Sequence, residues 1–178
     1  MYKRQGDISD EKVSKNLVSS RPDIIFHLAA IVSGQAEQEF DLGWNINAKG
    51  SWGLFEAIRQ QGENYCPRLI FTSSIAVFGA PFPEKIPDDF FTTPLTSYGA
   101  QKAISELLLA DYSRKNMVDG VSIRLPTICV RPGKPNLAAS GFFSGIIREP
   151  LNGQEAILPV NTDVRPVSYT HLTLPTKR

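Results

Sequence analysis

The chain is 178 residues long, 42% hydrophobic and 21% charged, with 13 Gly and 13 Pro. That is one soluble globular domain's worth of sequence, with apolar material for a sizeable core. Nineteen Lys and Arg against eighteen Asp and Glu leave a net charge of +1, which excludes a nucleic-acid binder held mainly by phosphate contacts. Two Cys and two His exclude a disulfide scaffold and argue against any metal site. The longest apolar run, Ile24 to Val32, is broken by His27 and is too short to span a bilayer. No signal peptide opens the chain, so a reduced, cytoplasmic setting is expected, with neither membrane nor nucleic acid as partner.

The two ends are expected to be non-native. Residues 1–5 and 167–178 carry no amphipathic pattern. Val167 to Thr176 back-translates into a transposase mosaic end running into a sequencing adaptor, and Met1 to Gln5, with GTG as the start codon, into the reverse complement of that mosaic end. Two complementary matches at opposite ends point to adaptors translated with a gene fragment, and such scars are set aside before fold reasoning. Without Lys3, Arg4, Lys177 and Arg178, the 19 basic residues become 15 against 18 acidic ones, a net charge of −3. Without His171, His27 is the only histidine, which removes the raw material for a His-based triad or a multi-His metal site.

Between the ends, strand-like runs alternate with helical patterns. Ser9 to Ser20 is polar, with Val13 and Leu17 four apart, and predicts a short amphipathic helix. Asp23 to Ala29 is apolar almost throughout and predicts a strand buried on both faces. Trp44 to Gln61 sets Ala48, Trp52, Phe55 and Ile58 at helical spacing and stops before Gly62. Arg68 to Thr72 predicts a second buried strand. Thr96 opens a helix through Asn116, with Ala103, Leu107 and Ala110 on its apolar stripe. Val121 to Leu125 predicts a third strand, stopped by Pro126, and a short helix is expected around Phe142 to Arg148. The alternation predicts an α/β protein, with βαβ units in a doubly wound parallel sheet and ligands gathered beyond the carboxyl ends of its strands.

Tyr98 and Lys102 stand four apart in the third helical pattern, which stacks a phenol and an ammonium on one face. A phenol titrates at about 10 in water, so it acts as a base at neutral pH only with help, and an adjacent cation favours the phenolate. Lowering its pKa by about three units takes roughly 4 kcal/mol, within reach of a close lysine in a dry cleft. Thr72-Ser73-Ser74 ends the second strand at the ligand-binding edge. A serine there can hold a substrate hydroxyl while the tyrosine moves its proton; the competing reading is a polar helix-capping turn. His27 reads as a packed imidazole, Trp44 and Trp52 as core, Cys129 as a small buried residue, and Asp88-Asp89 as a solvated loop pair.

Together these features resemble the extended short-chain dehydrogenase/reductases, the NAD-dependent epimerase/dehydratases, over nearly all of Gly6 to Arg165. Gly6-Asp7-Ile8 resembles the step after that family's third strand, where Asp7 and Ile8 would bracket the adenine ring. His27-Leu28-Ala29-Ala30 resembles the His-x-Ala-Ala end of the fourth strand, which lines the dinucleotide. Asn47 with Gly50-Ser51 resembles the Asn-x-x-Gly-Thr helix, with Ser51 for Thr. Ser74 to Gly79 resembles Ser-x-x-Val-Tyr-Gly, with Phe78 for Tyr, and Pro94 completes Pro-x-x-x-Tyr-x-x-x-Lys. Arg124 to Thr127 resembles the segment flanking the nicotinamide. The resemblance implies a Rossmann-like fold, a catalytic set of Ser74, Tyr98 and Lys102, and NAD as cofactor, with NADP left open. It implies cofactor contacts from Asp7, Ile8, Leu28, Ala29, Ala30, Asn47, Ser74, Tyr98, Lys102 and Thr127.

Ala30 to Ala36, Arg124 to Asn136 and Ser140 to Pro150 resemble a narrower branch that oxidises the C2 hydroxyl of a four-carbon sugar acid to the 2-oxo acid with NAD. That resemblance implies Tyr98 as the base, with Lys102 lowering its pKa and holding the nicotinamide ribose, and Ser74 holding the hydroxyl in line. The substrate carboxylate falls to Arg131 and Arg165, and its hydroxyls to Ser33, Gln35 and Asn136. The small-molecule partner is thus a sugar acid, and the parent is expected to be a homodimer through the two long helices. A nucleotide-sugar epimerase or dehydratase, which uses the same three residues, and a non-catalytic NAD(P)-binding module are the alternatives. The family's first strands and glycine-rich phosphate turn are expected to be missing before Gly6. Residues 6–132 are therefore expected as a partial NAD(P)-binding domain and 133–166 as the start of a substrate-binding part, with 1–5 and 167–178 non-native. The chain as written is expected neither to hold NAD tightly nor to turn over, and Ile24 to Ala29 is expected to lie bare at the sheet edge.

Overall fold

The computed structural model of the chain describes residues 5–62, 64–87, 89–129, 137–164 and 168–169. Its contacts divide the chain into two units, Met1–Leu125 and Pro126–Arg178. In the first unit, β1 (Ile24–His27), β2 (Arg68–Ser74) and β3 (Asp119–Leu125) form a parallel sheet in the order β1-β2-β3. Parallel neighbours need crossover connections, and right-handed crossovers that advance in one direction lay their helices on one face.

Helix α1 (Glu11–Val18) is capped by Asp10, whose carboxylate accepts the Lys12 N–H at 2.9 Å. Helix α2 (Ser33–Gln38) has no counterpart in the sequence pattern: its one apolar residue, Ala36, is buried. The first crossover is a helical rod made of α3 (Phe40–Gly43), a π-helical segment (Trp44–Lys49) and α4 (Gly50–Arg59). It begins a turn earlier than expected and is not uniformly α-helical. The second crossover is α5 (Ser97–Arg114), capped by Thr96 Oγ1, which accepts the Gly99 N–H at 3.1 Å. Asn116 stops it by taking a φ of 57°, which lets the Met117 N–H reach the Tyr112 carbonyl.

Leu54, Phe55 and Ile58 of α4, Leu69 and Phe71 of β2 and Leu109 of α5 form the core with Val18 and Val118. Strand period two explains β2, where Leu69, Phe71 and Ser73 are buried and Ile70, Thr72 and Ser74 are half-buried.

Three expectations are corrected. Strand β1 is buried on one face only: His27 is 3% exposed, but Ile24 and Phe26 are 57% and 65% exposed. Among the described residues β1 pairs with β2 alone, so it is the sheet edge. Helix α5 buries only Ala103 of its Ala103-Leu107-Ala110 stripe, because Leu107 is 68% exposed and Ala110 is exposed too; the buried face runs through Gln101, Lys102, Ala103, Ser105 and Leu109. Polar side chains can occupy it because Gln101 Oε1, Lys102 Nζ and Ser105 Oγ each find a hydrogen-bond partner. Trp52 is exposed rather than core, and Trp44 is half-buried and stacks on Phe40. Among the described residues no helix is long and apolar enough to cross a membrane.

In the second unit, β4 (Thr127–Ile128) pairs in parallel with β5 (Ser168–Tyr169), which falls within the segment expected to lack a pattern. Helix α6 (Phe142–Leu151) is anchored there by Ser144, whose Oγ donates to the Ile128 carbonyl at 3.3 Å.

Candidate active site

Strand β2 ends at Ser74, whose Oγ accepts the Ala76 N–H at 3.1 Å and caps a single 3-10 turn, Ile75–Val77. The capping reading holds locally, yet accepting that bond does not use the hydroxyl's own proton. Helix α5 meets this turn at Gly99, where a Cβ would lie 2.2 Å from the Ala76 carbonyl oxygen. Only a residue without a side chain lets the helix start come so close. Tyr98 directly precedes that contact and Ser74 is two residues from it, so the strand end and helix start meet where both motif residues stand.

One turn further on, the buried Lys102 donates from Nζ to the Thr72 carbonyl at 2.7 Å. Its Nζ lies 4.7 Å from the centre of the Phe71 ring and 5.7 Å from that of Tyr98. Phenol and ammonium therefore share one side of the helix, as the spacing of four predicts. Burial pulls the lysine down from 10.5 to about 8, so it remains an ammonium at neutral pH.

Asn47 is buried in the π-helical segment. Its Oδ1 accepts the Ile31 N–H at 2.9 Å, and its Nδ2 donates to the Ile31 carbonyl at 3.3 Å and to Gln101 Oε1 at 2.9 Å. The side chain is committed to the loop after β1 and to α5. Ser51 Oγ donates to the Asn47 carbonyl at 2.6 Å and lies 2.9 Å from His27 Nε2. With the hydroxyl proton so used, the imidazole is the donor to Ser51. His27 packs between Phe55 and Phe71, and burial, then the Lys102 charge, lowers it to about 4. It is a neutral, packed imidazole.

Asp7, Ile8 and Ala29 line a cavity of about 570 Å³ with Gln5, Gly6 and Ile46. The Asp7 carboxylate accepts the Ser9 N–H at 2.9 Å and its hydroxyl at 2.8 Å, which hold it below the usual carboxylate range. Leu28 and Ala30 are exposed on either side of Ala29. Ser33 and Gln35 stand on α2, where Gln35 Nε2 donates to Glu39 Oε1 at 3.0 Å. Thr127 is buried on β4 of the second unit. Arg131, Asn136, Arg165 and Asp88 lie outside the described residues; Asp89 is exposed and Cys129 half-buried. Among the described residues no three His, Cys, Asp or Glu gather as metal ligands would.

Sequence reasoning missed Gln101 and Glu106. Glu106 receives Arg124 of β3 through Nε at 3.1 Å and Nη2 at 2.8 Å, and the same guanidinium lies 4.8 Å from the Phe78 ring. This clasp joins α5, β3 and the segment after Ser74. Its available signal was a carboxylate four residues beyond Lys102.

A family model described as the NAD dependent epimerase/dehydratase family matches residues 3–170. The chain is similar to a D-erythronate dehydrogenase of Cupriavidus necator, at 55% identity over 155 residues, covering 87% of this chain and 47% of the relative. It is similar to a D-erythronate dehydrogenase of Haemophilus influenzae at 52% identity over 149 residues, covering 84% and 47%. A solved structure described as a nucleoside-diphosphate-sugar epimerase from Agrobacterium tumefaciens shares 63% identity, with a TM-score of 0.86, over 93% of this chain and 49% of that one. The chain spans about half the length of the curated relatives it matches. Its parallel strands and crossover helices are those of a Rossmann-like α/β fold. With the match running over nearly its whole length and more than half of the aligned positions shared with curated relatives, the chain belongs to the NAD dependent epimerase/dehydratase family.

Proposed function

We propose that this chain is the catalytic segment of an NAD-dependent dehydrogenase that oxidises the C2 hydroxyl of D-erythronate, a four-carbon sugar acid, to the 2-oxo acid. The observation that carries the reading is Lys102, a buried ammonium 5.7 Å from the centre of the Tyr98 ring. A cation beside a phenol favours its ionised form, so Tyr98 takes the proton of the substrate hydroxyl. Ser74 donates its own proton in a hydrogen bond to that oxygen and holds it in line. NAD, when bound, supplies the acceptor for the C2 hydride; with the proton on Tyr98 and the hydride gone, a carbonyl remains.

The residues present fit that cofactor. The cavity at Asp7 joins a carboxylate to apolar walls from Ile8, Ala29 and Ile46, which suits an adenine ring and its ribose. Leu28 and Ala30, on either side of Ala29, and Asn47, which grips both backbone groups of Ile31, are assigned to the same cofactor. An ammonium has three N–H donors, so Lys102 has capacity beyond Thr72 for a ribose hydroxyl. Thr127 is assigned to the nicotinamide side, Arg131 and Arg165 to the substrate carboxylate, and Ser33, Gln35 and Asn136 to its hydroxyls. The full-length parent is a cytoplasmic homodimer, joined through α5 and the rod before β2, where Trp52, Ile104 and Leu107 are exposed. Residues 6–132 supply the cofactor-binding part and 133–166 begin the substrate-binding part.

A second reading, a nucleotide-sugar epimerase built on the same three residues, is favoured by the description of the Agrobacterium structure. Both are tested in a full-length chimera in which residues 6–164 replace the matching segment of the Cupriavidus necator enzyme. Tyr98→Phe is expected to lower kcat for D-erythronate oxidation, followed as NADH, by about 10²- to 10⁴-fold while NAD binding is retained. A near-parental rate overturns the mechanism. A UDP-sugar that raises the melting point where D-erythronate does not selects the epimerase.

A further inference from the structure

Gln101 lies between Tyr98 and Lys102 on α5 and is fully buried, yet it is in neither the catalytic nor the binding set. Its Oε1 accepts Asn47 Nδ2 at 2.9 Å, and Asn47 in turn grips both backbone groups of Ile31. The direction of every bond is dictated from the Ile31 end. A backbone N–H can only donate, so Asn47 offers it oxygen; the Asn47 amide nitrogen then faces α5, where only an acceptor can meet it. Gln101 turns its oxygen that way and leaves its own Nε2 buried without a partner. An orphaned buried donor is destabilising, so the oxygen, rather than the amide as a whole, explains a glutamine here.

The surroundings are built to the same end. Gly43 makes room for the amide, since a Cβ there would lie 2.8 Å from Gln101 Nε2 and 3.1 Å from Ala36 Cβ. Ser105 Oγ donates to the Gln101 carbonyl at 2.9 Å and lies 3.3 Å from the Asn47 carbonyl. The π-helical segment, a form that recurs at functional sites, carries Asn47 between its partners. The loop after β1 thus has two anchors. Thr72 Oγ1 donates to the His27 carbonyl at 3.0 Å at its start, and the Asn47–Gln101 pair holds Ile31, two residues before Ser33 opens α2.

We infer that Gln101 is a positioning residue: through Asn47 it holds the Ile31–Ser33 end of this loop, the substrate side of the site, in register with the helix that carries Tyr98 and Lys102. The inference rests on the dehydrogenase reading above for its kinetic consequence but not for its structural one. In the full-length chimera, Gln101→Met keeps the side-chain length and removes the acceptor. The expected result is a rise of about tenfold in KM for D-erythronate, with kcat within about twofold. Hydrogen exchange at the Ile31 amide should speed up about tenfold while the β2 amides keep their rates. Unchanged Ile31 exchange overturns the inference whatever the kinetics, and so does a loss confined to kcat, which would place the effect on Tyr98 and Lys102. If Tyr98→Phe keeps its activity, the dehydrogenase reading fails alone, because Ile31 exchange still decides the coupling. Should Gln101→Met not fold, Gly43→Ala, which presses on the same amide, is read by the same two measurements.

Discussion

Replacing Lys102 with methionine should abolish the chemistry and stabilise the fold. Burial lowers the lysine from 10.5 to about 8, and at 1.36 kcal/mol per unit this corresponds to a penalty on the order of 3 kcal/mol for holding the charge in the folded state. Against it stands the hydrogen bond to the Thr72 carbonyl at 2.7 Å; leaving that acceptor short of a partner costs about 1–2 kcal/mol. Lys102→Met is therefore expected to gain about 1–2 kcal/mol at neutral pH, a rise of about 2–8 °C in Tm for a chain of this size. The folded-state pKa is the lower one, so between about 8 and 10.5 the unfolded chain binds more protons, and the parent's stability rises with pH. The penalty is complete below that window and gone above it. Urea unfolding followed by circular dichroism, on parent and variant from about pH 7 to about pH 10.5, should show the variant's advantage shrinking and then reversing. An advantage that stays constant across the window, or a variant already less stable at neutral pH, refutes the reasoning.

The buried imidazole gives a slope of the same sign on the acid side. His27 falls from 6.5 to about 4, so the unfolded chain takes up its proton first and stability is lost as the pH drops through that window, by about 3 kcal/mol. His27→Gln should flatten this part of the urea titration. Gly99→Ala sets a Cβ 2.2 Å from the Ala76 carbonyl oxygen, and neither backbone can yield without moving the start of α5 off the Ser74 turn. A destabilisation of about 1–3 kcal/mol is expected in the same urea assay, with a lower kcat in the chimera measured as NADH formation.

Much of the site was legible because its decisive spacing is local. Four residues on a helix bring Tyr98 and Lys102 to one side whatever surrounds them, and alternation along β2 separates buried Ser73 from half-buried Ser74. The inward face of α5 was not legible for a related reason. A search for an apolar stripe selects Ala103, Leu107 and Ala110, of which only Ala103 is buried, whereas the buried face also carries Gln101, Lys102 and Ser105, whose partners come from β2 and the π-helical segment. Asn47 was named by its motif, but its inward placement was not legible from periodicity, since a 3.6-residue period assumes that every turn has the same size. Helix α2 escaped because a single apolar residue, Ala36, supplies no periodicity at all. What the sequence could not show were hydrogen-bond partners distant along the chain.

The uneven dressing of the sheet gives its two broad sides different fates in solution. On one side, helices shield the strands; on the other, Ile24, Phe26 and, just past the strand, Leu28 meet water, as do Val121 and Ile123 of β3. Because alternate residues share a side, the adhesive positions of β1 are all even-numbered and its protected ones odd. Polarity introduced at the even positions would improve shelf life without touching the packing, whereas the same change one residue along would strike the core.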